Sequence, residues 1–208
     1  MPQEKKRVSL RRETFKKMEE LHPHQIILFV AMVGSGILFF FLLVAFAVAR
    51  PPQLELIRME FPKSFVVSTF VMLLSSFAVA KVLPMYKADN QEELKKWLGI
   101  TFLLGLAFST LQFLGWRELQ SHQILFSGER SGAYLYVLSG LHVAHVLGIM
   151  VYLLYLLMQC HKTSKDAVKE LLYATNPYQK VRFKLLTSAW HFVDVVWVVV
   201  FFYFLFSF

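Results

Sequence analysis

Long apolar runs separated by short charged segments dominate this chain. Five runs are long enough for a helix to cross the ~30 Å hydrocarbon core of a bilayer, which takes about 20 residues. They cover residues 25–49, 64 to about 84, 97–116, 132–158 and 185–208. Each is too long and too uniformly apolar for the alternation of a barrel strand, and a helix satisfies its own backbone hydrogen bonds in lipid. The pattern predicts an all-α membrane protein: a five-transmembrane-helix bundle over 25–208, preceded by a tail of residues 1–24. No internal repeat or low-complexity linker divides it.

Polar residues inside these runs are few, and ionisable ones are costly there. They are His142 and His145 in the fourth run and His191 and Asp194 in the fifth, with Lys81 near the end of the second. At about 1.5 Å of rise per residue, His145 and Asp194 fall near the middle of their runs. Equal depth suggests a buried clasp between spans four and five, extended by His142 and His191 into one structural polar cluster. Glu118 lies beyond the outer end of span three and is expected to pair with Arg117, His122 or the following loop.

Helical spacing also sorts the faces. Thr187, Trp190, His191, Asp194 and Trp197 share one stripe of span five. Thr101, Gly105, Ser109, Gln112 and Trp116 share one of span three. Gly140, Ala144 and Gly148 form a small-residue packing groove on span four, of the kind that lets backbones approach. Spans one and two offer no polar residue that demands protein contact, so phospholipid is expected against them.

Composition narrows the class. Hydrophobic residues make up 56% of the 208 and charged residues 17%, against about 25% charged in an ordinary soluble domain. A water-soluble globule of this size could not hide that much apolar surface, which excludes a soluble enzyme or a free nucleic-acid binder. The net charge of +8 sits between the apolar runs and therefore points to the membrane surface. With the N-terminus inside, the inner segments hold seventeen Lys and Arg and the outer ones five, a bias that places the N-terminus inside and the C-terminus outside. The basic tail then lies on the cytoplasmic side, either as a solvated topology anchor or as a short helix over Ser9–Leu21 on the anionic leaflet. It is too charged, ahead of too long an apolar run, for a cleavable signal peptide.

No catalytic constellation stands out. Cys160 is the single cysteine, so neither an intrachain disulfide nor a Cys/His metal cluster is available. Two histidines at i, i+3 on one helix cannot supply opposed axial ligands to a haem. A through-going proton path needs relay groups above and below, and spans one and two lack them. The residues by themselves read as a non-catalytic membrane subunit with a polar structural seam.

The string Trp190-His191-Phe192-Val193-Asp194-Val195-Val196-Trp197 closely resembles the signature of cytochrome c oxidase subunit III. Ser139-Gly140-Leu141-His142-Val143-Ala144-His145-Val146-Leu147-Gly148 is similar to that family's T-G-x-H-G-x-H-V-x-x-G. Leu111-Gln112 followed by Glu118 resembles its L-L-Q…E-Y-Y-E region. The likeness covers roughly residues 24–208 and fits the family's five-span form. Gln112, Glu118, Trp190, Phe192 and Trp197 are its motif positions here.

The resemblance implies a core subunit of a respiratory haem–copper terminal oxidase in a bacterial inner (plasma) membrane. Such a complex reduces O₂ to water and pumps protons. The resemblance implies no haem or copper in this chain, both residing in partner subunits. It also implies packing on subunit I, support of proton uptake, bound phospholipid and, in some members, a respiratory supercomplex. Two departures are visible. Val33 stands where many members carry a carbodiimide-reactive Glu, and Gly115 replaces the first Glu of E-Y-Y-E. The alternatives kept are a relative attached to a quinol oxidase or nitric-oxide reductase and, from another class, an independent transporter or proton channel.

Overall fold

The computed structural model describes residues 23–49, 62–121, 130–164 and 176–207. These form five helices: α1 Pro23–Ala49, α2 Lys63–Lys87, α3 Gln91–Ser121, α4 Arg130–Thr163 and α5 Pro177–Ser207. Each contains a segment long and apolar enough to cross a membrane, and no strand occurs among the described residues. The five-helix expectation holds. The basic tail, apart from its last two residues, lies outside the described residues.

The helices outrun the apolar runs because polar caps, not hydrophobicity, end them. Asn90 Oδ1 accepts the backbone N–H of Glu93 at 3.1 Å, and Glu92 and Glu93 occupy the first turn of α3. Both features favour the positive end of the helix. Asn176 Oδ1 likewise accepts the N–H of Tyr178 at 2.9 Å, with Pro177 in the first turn, where its missing N–H costs nothing. So α5 starts eight residues before its apolar run, and Arg182, counted above with the inner loops, is a helical residue only 8% exposed. Between α2 and α3 the chain reverses through Asp89 at φ 54°. There the N–H groups of Ala88 and Asn90 donate to the carbonyls of Pro84 and Met85, closing α2.

Helices α2, α3, α4 and α5 pack in sequence order into a ring, with α5 returning against α2; α1 lies outside it against α4 and α5. Burial reflects the difference. Of the α1 span 6% is buried, against 33–44% of the other four. Inside the ring lie Phe65, Phe108, Met150, Trp190 and Trp197. Two glycines make this packing possible. A Cβ on Gly115 would run into the ring of Phe65, and one on Gly105 would meet Met150 Sδ at 2.9 Å and the Trp190 indole at 3.0 Å. Gly115, the departure from E-Y-Y-E, is thus the hollow that receives Phe65. Of the stripe Thr101, Gly105, Ser109, Gln112 and Trp116, the first four are buried and Trp116 is half-buried.

Candidate functional site: a polar belt at mid-membrane depth

Ser35, Ser76, His145, His191 and Asp194 lie within three residues of the centres of their spans, or about 5 Å of the midplane along the axes. In hydrocarbon each polar group must find its partner within protein. The structure distributes them over two seams and a core site.

The first seam joins α4 to α1. His145 Nδ1 lies 2.8 Å from the Leu141 carbonyl, which can only accept, so that nitrogen carries the proton. Nε2 and the Ser35 hydroxyl are hydrogen-bonded at 2.9 Å. Phe39 of α1 packs on the same ring, with centroids 5.6 Å apart.

The second seam joins α5 to α2. His191 Nδ1 is 2.8 Å from Ser76 Oγ and 3.8 Å from Asp194 Oδ2. Asp194 is 4% exposed, and neither of its oxygens has a hydrogen-bond partner. On either side an indole ties the same two helices: Trp190 Nε1 donates to Ser75 Oγ and Trp197 Nε1 to Thr69 Oγ1, both at 3.0 Å. Phe192 turns the other way, towards α1, its ring 3.8 Å from where a Cβ on Gly36 would stand.

His142 belongs to neither seam. Its ring is fully buried between Phe39, Phe108 and Trp197, the last with centroids 5.0 Å apart and planes at 34°. Neither ring nitrogen has a partner.

The clasp expected between His145 and Asp194 is therefore not formed, and the four residues do not make one cluster. Depth fixes only one of a helical residue's two cylindrical coordinates. Asp194 lies between Trp190 and Trp197 on the stripe aimed at α2, whereas His145 points to α1. The hydroxyls that do the joining were missed. Spans one and two were read as making no polar demand, yet Ser35, Ser68, Thr69, Ser75 and Ser76 all bond within or across helices. A signal existed: Ser68-Thr69 and Ser75-Ser76 repeat at seven residues, two turns apart on one face.

The remaining motif residues have structural places. Gln112 Nε2 donates to Ser68 Oγ at 2.9 Å. Glu118 accepts the backbone N–H groups of Lys63 and Ser64 at 3.2 and 3.3 Å and the Ser64 hydroxyl at 3.0 Å. It caps the N-terminus of α2 from a neighbouring helix; of the pairing expected with Arg117, His122 or the loop, His122 and the loop lie outside the described residues. Val33 is 44% exposed; the α1 residues that reach the membrane histidines are Ser35, on His145, and Phe39, on His142 and His145. Along the groove, Gly140 faces the Trp116 ring at 3.7 Å, while Gly148 has nothing near it and Ala144 is exposed.

Gly148 opens into a cavity of about 480 Å³ between α1, α4 and α5, lined on its apolar side by Ile27, Leu28 and Leu185. Its polar end is formed by His24, Tyr152, Tyr178 and Arg182. The Arg182 guanidinium donates to Gln159 Oε1 at 2.6 Å and Gln179 Oε1 at 3.0 Å and lies 5.0 Å from the centroid of the Tyr155 ring. No described carboxylate neutralises it.

Among the described residues no three His, Cys, Asp or Glu side chains gather as metal ligands would. His145 and His191 bond serines on different seams.

No family model matches the chain. Its sequence is similar to cytochrome c oxidase subunit 3 of Bacillus subtilis, 30% identical over 178 residues, which are 81% of this chain and 78% of that one. The chain belongs to the oxidase subunit III family. Relatives of both donor classes occur: cytochrome bo(3) ubiquinol oxidase subunit 3 of Buchnera aphidicola is 33% identical over 65% of each chain. A probable cytochrome c oxidase subunit 3 of Mycobacterium tuberculosis is 29% identical over 64% of this chain and 61% of that one. The matched region spans 61–65% of the length of these last two relatives. As a subunit III with five helices long and apolar enough to cross a membrane, the protein is a multi-pass membrane protein.

Proposed function

We propose that this chain is the non-catalytic core subunit III of a respiratory haem–copper oxidase in a bacterial inner membrane, docked on subunit I and bracing it during O₂ reduction and proton pumping. The N-terminus lies inside and the C-terminus outside, as the charge bias demands. The haem and copper chemistry belongs to the partners. The chain contributes rigid packing, bound lipid and support for proton uptake by subunit I. The observation that carries the reading is the position of the 190–197 string: its two indoles are the ties between α5 and α2. The residues that carry the family likeness are those that set the bundle.

Phospholipid belongs in the α1–α4–α5 cavity rather than against α1 and α2 alone. The cavity has the size of an ordinary ligand site, roughly 300–1,000 Å³. Its guanidinium, which no described carboxylate neutralises, suits a phosphodiester at the inner surface, with an acyl chain running past Gly148. The electron donor, cytochrome c or quinol, is a property of the other subunits, and relatives of both kinds match.

Purification of the full chain from its native membrane in mild detergent tests the assignment. Haem absorbance and a larger haem-bearing subunit should accompany it. A chain that emerges alone, that shows a haem band by itself, or that conducts protons when reconstituted alone in liposomes overturns it.

A further inference from the structure

The α2–α5 seam carries a polar group that the chain itself leaves open. His191 stands one residue from the centre of the Tyr178–Phe206 span, yet its side chain is 41% exposed. Nδ1 is engaged by Ser76. The other ring nitrogen, Nε2, has no hydrogen-bond partner among the described residues. Asp194, behind it, is buried with both oxygens unmet. Acyl chains neither donate nor accept hydrogen bonds, so lipid cannot cover an open imidazole edge at this depth without leaving it unsatisfied. Nor does α1 serve, because it packs on the neighbouring Phe192 side of α5.

The surface around the imidazole is shaped for a helix. Ser188, one turn away on α5, is small and exposed. Val195 and Val199 continue the stripe at 62% and 52% exposure, and Leu73 of α2 flanks it at 49%. A small residue beside a hydrogen-bonding one is what close helix approach in a membrane uses.

We infer that the His191 face of the α2–α5 seam is a docking surface for a transmembrane helix of the partner oxidase subunit, one that brings a hydrogen-bonding side chain to His191 Nε2 at the membrane centre. The inference rests on the proposed role as an oxidase subunit and specifies which face meets the partner. Asp194 Oδ2 lies 3.8 Å from Nδ1 on the buried side of the ring.

The test uses the whole complex. A nitroxide is attached at Val195→Cys in a Cys160→Ser background, and its relaxation by oxygen dissolved in the bilayer is read with the chain assembled and with the chain alone. The nitroxide should be shielded in the complex and accessible in the isolated chain. In parallel, His191→Phe should lower recovery of the chain on the detergent-washed complex at least threefold, while His191→Gln, which keeps a hydrogen-bonding group, should recover near wild type. The melting temperature of each isolated variant separates folding from docking. A wild-type chain that brings no haem-bearing companion overturns the proposed function and this inference with it. A companion retained while Val195 stays open to lipid, or while His191→Phe leaves recovery unchanged, overturns this inference alone.

Discussion

Two helix interfaces at the same membrane depth are built differently. Between α5 and α2, two indole N–H groups bond hydroxyls on either side of a third contact, His191 to Ser76. Both indoles are essentially fully buried, and one rests on a glycine. Between α4 and α1 the described side-chain bond is His145 to Ser35, with the Phe39 ring beside it, and most of α1 faces outward. In lipid the hydrophobic effect does not drive helices together, so packing and hydrogen bonds must. Where both are dense the ring closes; where a single bond does the work, the helix remains an outrider with a cavity at its side.

The comparison is broken most strongly by emptying the α5–α2 interface. Trp190→Ala removes the indole that fills the space over Gly105 together with its bond to Ser75. A loss of about 3–5 kcal/mol, read by denaturant titration of the purified chain in detergent, is expected. Unchanged unfolding would show that the ring is held elsewhere. Overpacking the same interior from the α3 side should cost about 1–3 kcal/mol. Gly115→Val does this by driving a side chain into Phe65, and Phe65→Ala in the same chain should restore part of the loss. If Phe65→Ala gives no rescue, the two residues are not coupled.

A smaller effect tests the outer end of α2. Glu118→Ala leaves the Lys63 and Ser64 N–H groups without their cap and should cost about 1 kcal/mol. Glu118→Gln, which still accepts, should cost less, and faster amide exchange at Lys63 and Ser64 is the direct readout. The smallest expected change is in the outrider. Ser35→Ala removes the described side-chain bond from α1 to α4, and inter-helix bonds in membranes average about 0.6 kcal/mol. Global stability should barely move, while protease or label access along α1 should rise. If Ser35→Ala destabilises as much as Trp190→Ala, the contrast between the two interfaces is wrong. For the lipid cavity, Arg182→Gln should lower co-purifying anionic phospholipid, measured by mass spectrometry, with no change in neutral lipid.

The apolar runs at 25–49 and 97–116 located helices because a membrane span has one solution for its backbone, and length alone was enough. The ends were less legible. Asn90 and Asn176 extend α3 and α5 well past their apolar windows, through caps that hydropathy does not register. The inward stripe of α3 was readable because helical periodicity fixes which residues share a face. The charge of Arg182 gives no hint that it is helical and buried, where two glutamines and a tyrosine ring accommodate it.

Sequence by itself determined that this is a five-span membrane protein of the subunit III type, and that its few ionisable groups lie at mid-depth. These follow from composition along one dimension and from helical repeat. Only the tertiary structure decided the partners: His145 with Ser35, His191 with Ser76, the indoles with Thr69 and Ser75, Glu118 with the start of α2. Periodicity gives the angle between two residues on one helix but not the rotation of that helix against its neighbours. That rotation is set by the volumes of Phe65 and Trp190 and the hollows at Gly115 and Gly105, which meet only when the chain is folded.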